Sequence, residues 1–135
     1  MNLIEKLMAV DSKEFEKIET KEVKSKMLKK LLGEDTNVII HAVDGDTFSA
    51  LTATGVGKDG NPEVSKGYSV NAKVVAAGVT SPDLKDEKLM KHVGAASPAD
   101  AAKKIFKGEI NNLASEIAEL SGFSDEIEAE EEVKN

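Results

Sequence analysis

Glycine, lysine and aspartate crowd into Gly55-Val-Gly-Lys-Asp-Gly60, whose G-x-G-x-x-G spacing is one that lets a helix N-terminus approach a pyrophosphate. The surroundings argue against that chemistry. Asn61-Pro62 follows where the helix would have to continue, and the flanking chain has no repeated βαβ pattern. Lys58 precedes Asp59 rather than the Ser or Thr of a phosphate-binding loop. Asp44-Gly-Asp46 and Asp59-Gly-Asn61 carry oxygen ligands of the kind calcium takes, yet neither has the regular spacing and closing bidentate Glu of an EF-hand. Both read more simply as turns, since Asp, Asn and Gly tolerate the conformations turns require. The two histidines, His41 in a strand-like run and His92 near a helix end, are isolated from one another in sequence. For His92, a favourable position at a negative helix terminus is explanation enough. No G-x-S-x-G elbow presents a serine nucleophile, and nothing pairs two carboxylates in a cleft. The sequence therefore predicts no enzyme: no catalytic, cofactor-binding or metal-ligating residue. A small-ligand module built on the glycine-rich loop remains the rival.

The elements that would position any site are punctuated most clearly between Ala77 and Phe123. Ser81-Pro82-Asp83 opens one helix-sized block and Gly94 closes it; Ser97-Pro98 opens the next; Lys107-Gly108-Glu109 opens a long last helix that Ser121-Gly122-Phe123 ends. Proline suits a first helical turn, where its missing N–H has no partner to lose, and glycine suits the residue past the end. In the last helix Phe106, Ile110, Leu113, Ile117 and Leu120 recur at intervals of four, three, four and three, with Phe123 extending the stripe beyond Gly122. Such a stripe is either core or a partner-binding seam. Phe106, Ile110, Leu113, Ile117, Leu120 and Phe123 are the candidate partner-binding residues, with the glycine-rich loop as the alternative surface.

Upstream, Leu3, Ile4, Leu7 and Met8 share one face of a short helix with Asn2 as N-cap, and Asp11 or Ser12 caps a second helical segment around Phe15. From Val23 the positions Met27, Leu28, Leu31 and Leu32 keep helical spacing up to Gly33, although residues 20–25 also suit the start of a strand. Asn37 to Val43 is the one strongly β-like run. Residues 45–53 fit either a tight turn with a return strand or a capped helix carrying Phe48 and Leu51. Residues 54–67 concentrate glycine, asparagine and proline and read as a mobile loop. Val70, Val74, Val75 and Ala77 then mark a buried helix ending at Gly78.

Composition narrows the function classes. A chain of 135 residues suits one domain, here 1–123, followed by an acidic tail over 124–135 expected to be disordered. That tail carries six carboxylates against Lys134, a net of −5, so only −2 of the total −7 belongs to the rest. It is either a solubilising appendage or an electrostatic docking segment. All 18 basic residues are lysine, so the bidentate guanidinium that commonly reads phosphate and guanine is missing. Nucleic-acid binding is disfavoured. There is no cysteine, and Glu5 and Lys6 interrupt the first apolar run, which leaves no signal-peptide core or membrane span. The expected location is the cytoplasm. With 4% aromatic residues and no Trp, the core must be aliphatic.

The order and spacing of Ala77-Gly-Val-Thr-Ser-Pro-Asp-Leu-Lys-Asp86, His92-Val-Gly-Ala-Ala-Ser-Pro98, Gly108-Glu-Ile110 and Leu120-Ser-Gly-Phe123 resemble the C-terminal half of the XkdN-like tail assembly chaperones of phages and prophages. Thr20 to Val43 resembles that family's helix-or-strand, glycine, strand section, so the likeness spans roughly 20–123. The resemblance implies a non-enzymatic protein of the bacterial host cytoplasm that takes part in building a phage tail or tail-like bacteriocin. It implies transient binding to tape-measure and tail tube proteins, and absence from the finished particle. Self-association and a frameshift-extended form are compatible with it; a structural virion component retained in the tail is the main alternative. The fold expected is α+β, predominantly helical, with one short strand or hairpin system.

Overall fold

A computed structural model describes residues 2–123, and the acidic segment expected to form a disordered tail lies outside the described residues. The chain is α+β and mainly helical: α1 (Leu3–Met8), β1 (Thr20–Lys24), α2 (Lys26–Leu32), β2 (Asn37–His41), α3 (Gly45–Ala53), α4 (Gly67–Gly78), β3 (Val79–Ser81), α5 (Glu87–Val93), α6 (Pro98–Phe106) and α7 (Ile110–Leu120). Short 3-10 turns at Ser12–Phe15, Val64–Lys66 and Lys107–Glu109 complete the path. Among the described residues, no helix is long and apolar enough to cross a membrane.

The strands form one antiparallel sheet in the order β1-β2-β3. Thr20 faces His41 and Lys24 faces Asn37, which sets Val23 opposite Val38; on the other side Ile40 faces Val79. Period-two alternation sends Val38 and Ile40 of β2 entirely inward. Val23 thus belongs to a strand, and α2 begins only after Ser25, whose hydroxyl accepts from the Leu28 N–H at 3.1 Å. Gly33, at φ 78°, ends α2 as its glycine suggests.

Residues 45–53 adopt the helical alternative. Asp44 caps α3, accepting from the Thr47 N–H at 3.1 Å and from the Thr47 hydroxyl at 2.7 Å. At Ser81-Pro82-Asp83 the helix expected from the proline is delayed. Ser81 ends β3, the Ser81–Pro82 bond is cis, and Asp83 accepts from the Lys85 N–H at 3.0 Å to form a turn. Helix α5 starts at Glu87 with Asp86 as its cap. The physical reason is that a residue before proline is pushed toward extended backbone, which here completes a strand. The other punctuation acts as its chemistry dictates: Gly94 closes α5 at φ 73°, Ser97 caps α6 with Pro98 in its first turn, and Gly122 follows α7 at φ 89°.

The core lies between the sheet and helices α4, α6 and α7. Val38 and Ile40, Ala72 and Val75 of α4, Phe106 of α6, and Ile110, Leu113 and Ile117 of α7 are all fully buried, with Leu84 closing one side. Helix α4 packs most extensively on α7. At Gly78 the Ile117 side chain comes so close that a methyl group there would sit 2.7 Å from Ile117 Cγ2. Gly78→Ala is therefore expected to destabilise by about 1–3 kcal/mol through overpacking, and Leu113→Ala by about 2–5 kcal/mol through the cavity it leaves. Urea unfolding of both variants checks these values, and a Gly78→Ala protein as stable as the wild type would refute the close-packing account.

Candidate functional site

The α7 stripe divides in two. Phe106, Ile110, Leu113 and Ile117 have no exposed surface, so these four serve the core and are closed to a partner in the folded chain. Leu120 and Phe123 are only partly buried. Phe123 turns back after Gly122 and stacks on Phe48 of α3, with ring centroids 4.7 Å apart and planes 16° from parallel. The turn is held by Ser121, whose hydroxyl donates to the Ile117 carbonyl at 2.7 Å and accepts from the Val43 N–H at 2.8 Å.

That aromatic pair lines a groove of about 460 Å³ between α3, α4 and α7. Val70 and Val74 of α4 and Ala114 and Ala118 of α7 form apolar walls. Asn71 and Asn111 bond across it, amide to carbonyl, at 2.8 Å. Such a groove accepts an apolar ridge and offers amide groups at its margin. Among the described residues, no nucleophile and base are in contact there. Sequence reasoning missed Phe48, Val70 and Ala118 as a common surface, because three separate segments contribute them.

The glycine-rich loop has a different use for its backbone donors. Gly57 N–H reaches the Asn61 carbonyl at 2.8 Å, Gly60 N–H the Gly57 carbonyl at 3.0 Å, and Glu63 N–H the Gly55 carbonyl at 2.8 Å. Asp59 accepts from the Asn61 N–H at 3.0 Å. The N–H groups that would cradle a phosphate thus tie the loop to itself, and the Glu63 side chain packs over Gly57 where a ligand would approach. Hydrogen bonds from Asn61, backbone first, hold the Asp59 carboxyl below the usual carboxylate range. Among the described residues, no cluster of three or more His, Asp or Glu is placed to hold a metal ion. His41 Nδ1 lies 2.7 Å from Thr80 Oγ1 across β2 and β3, and His92 sits in the last turn of α5.

A second surface lies at the N-terminus. Leu3, Ile4, Leu7 and Met8 do share one helix with Asn2 as its cap, and Asp11 caps the 3-10 turn, but none of these apolar side chains is buried. Val10, Phe15 and Ile18 are exposed as well. Helical spacing reveals a face and is silent about whether the chain's own core covers it.

A family model described as phage XkdN-like tail assembly chaperone protein matches residues 4–134. Among solved structures, the chain is similar to the crystal structure of the protein YqbN, at 19% identity over 80% of this chain and 90% of that one, with a TM-score of 0.57. At that identity the likeness concerns the fold. No curated protein matches the chain.

The Asp44 cap that positions Phe48 has a pH signature. The Thr47 hydroxyl and then the Thr47 N–H hold its carboxyl below the usual range. A lowered folded-state value means the contribution is complete above the unfolded carboxylate pKa of about 4 and is lost as pH falls through the folded value. Asp44→Ala should therefore melt roughly 2–5 °C below the wild type at neutral pH, with the gap narrowing at acidic pH, as the folded carboxyl takes up its proton. Thermal melts at both pH values test this, and a gap that stays constant would rule out an ionised cap.

Proposed function

The chain belongs to the phage XkdN-like tail assembly chaperones, and from that premise we propose that it works by transiently covering apolar helical segments of the tape-measure protein, the tail tube protein or both. The tail-assembly role follows from the family. The supporting observation for the mechanism is the groove lined by Phe48 and Phe123, because an amphipathic helix docks by laying an apolar ridge into such a trough. Phe123 is the member of the α7 stripe that lines this groove, Leu120 packs against the core, and the four buried members keep α7 in place. A groove of this size favours reversible capture, which suits a factor that must release its client to tube subunits. No covalent chemistry is required, in keeping with a non-enzymatic protein acting in the host cytoplasm.

Co-expression with tape-measure and tube proteins, followed by pull-down, tests this reading. Ala118→Glu puts a charge on the groove wall without touching the buried stripe. It is expected to weaken client binding by roughly thirtyfold or more, the scale of a lost hot spot, with melting nearly unchanged. If no tail protein gains solubility or co-purifies with the wild type, the chaperone mechanism fails; if Ala118→Glu binds as well as the wild type, the groove is not the site. Recovery of the chain from purified particles at tube-like stoichiometry would instead establish a retained structural component.

A further inference from the structure

Residues 2–18 form an arm that the core does not use. Helix α1 contains six residues, has no buried side chain, and is followed by a 3-10 turn that likewise has none. A helix that short is marginal without packing, yet Met8 is 80% exposed, Leu3 71% and Phe15 63%. The two turns enclose a shallow hollow of about 370 Å³ lined by Ile4, Leu7, Met8, Val10 and Phe15, with Ser12 as its one polar wall. Leu3, one helical turn before Leu7 and next to Ile4 in the chain, is not part of that lining and projects as an exposed apolar side chain.

We propose that this arm pairs with the same arm of a second copy, giving a two-fold dimer. Knob and hollow on one patch are what an isologous contact needs, since each copy must offer both halves of the fit. The area is sufficient. The arm's exposed apolar side chains would remove roughly 500–1,000 Å² of apolar surface over two copies. At the usual apolar share of about 57%, that corresponds to roughly 900–1,800 Å² in all, overlapping the ~1,200–2,000 Å² of stable interfaces. Charge does not oppose it: Glu5, Asp11, Glu14 and Glu16 are interspersed with Lys6, Lys13 and Lys17. Pairing through the adjacent edge of β1 is disfavoured by Lys21, Glu22 and Lys24 along that strand. A second copy is also the one partner present wherever the chain is, before any tail protein is met. The inference is independent of client capture at the groove.

Sedimentation equilibrium of the full chain tests it. The wild type is expected to run at twice its 14.4 kDa mass at micromolar concentration. Ile4→Glu should weaken the dimer by roughly thirtyfold or more, while its melting in the monomeric range stays at the wild-type value because Ile4 is outside the core. Leu7→Ala, a milder change, should weaken it in the same direction. A wild type that is monomeric up to about 100 µM, or an Ile4→Glu protein that dimerises like the wild type, overturns the proposal. So does a monomeric wild type whose client binding is lost in Ile4→Glu, an outcome that assigns the arm to the client instead. A monomer that still captures clients through the groove refutes self-pairing and leaves the assembly mechanism standing.

Discussion

Helix α7 can lie against the sheet because α4 ends in a residue with no side chain. Gly78 receives Ile117 at a distance that a methyl group would forbid, and the next residue, Val79, already belongs to β3 and pairs with Ile40. One position therefore fixes both the separation of the two principal helices and the point at which the chain leaves the helical layer for the sheet. Interiors packed to crystalline density do not absorb such a change gradually. Shifting α4 from α7 would also shift β3 against β2, and with it the buried face made by Val38 and Ile40.

Polar ties fasten α7 at both ends of that contact. Just before its start, Glu109 accepts from the Ser25 hydroxyl at 2.6 Å and from the Lys26 N–H at 2.8 Å, so a carboxylate from the turn leading into α7 occupies the positive N-terminus of α2. At its end, Ser121 joins Ile117 to Val43. Midway, Lys21 on β1 meets Glu116 at 2.8 Å, and this contact, first through the hydrogen bond and then through charge, raises the Lys21 pKa. The exposed ion pair adds little by itself. The contacts at its two ends tie α7 to the start of α2 and to Val43, while its apolar stripe lies inward and Ala118 and Phe123 line the groove.

Signals confined to a few residues were legible in the sequence. Asn2, Asp11, Gly33, Gly94, Ser97-Pro98 and Gly122 each act through their own backbone and side chain, and each ends or begins an element as expected. Ambiguity arose where one residue type serves two conformations. Asp44-Gly45 suits a hairpin turn as well as a helix cap, and Ser-Pro suits a helix start as well as a strand end; the Thr47 contacts to Asp44 mark the first as a cap, and the extended backbone before Pro82 makes the second a strand end. The period of the α7 stripe was legible, whereas its burial depended on Gly78 some forty residues earlier. The groove was not legible at all, since α3, α4 and α7 meet only in the fold. The same limit applied to α1, whose amphipathic face reads alike whether it is covered or bare.

The placement of the aromatic residues gives the surfaces their weight. The chain has only four phenylalanines and one tyrosine, and a core short of large rings would be expected to take all of them. Phe106 alone is fully buried. Phe48 and Phe123 are paired at the groove, Phe15 is largely exposed on the arm, and Tyr68 sits at the surface with its hydroxyl donating to the Lys107 carbonyl at 2.8 Å. The interior is instead assembled from Val, Ile, Leu and Ala, which suffice because Gly78 lets the helices approach closely. Aromatic rings give much contact area for little conformational entropy, and they are enriched at interface cores for that reason. Close aliphatic packing inside and scarce rings outside are thus two sides of one arrangement. The tighter the α4–α7 seam, the less the core needs phenylalanine, and the more of it stands outside the interior.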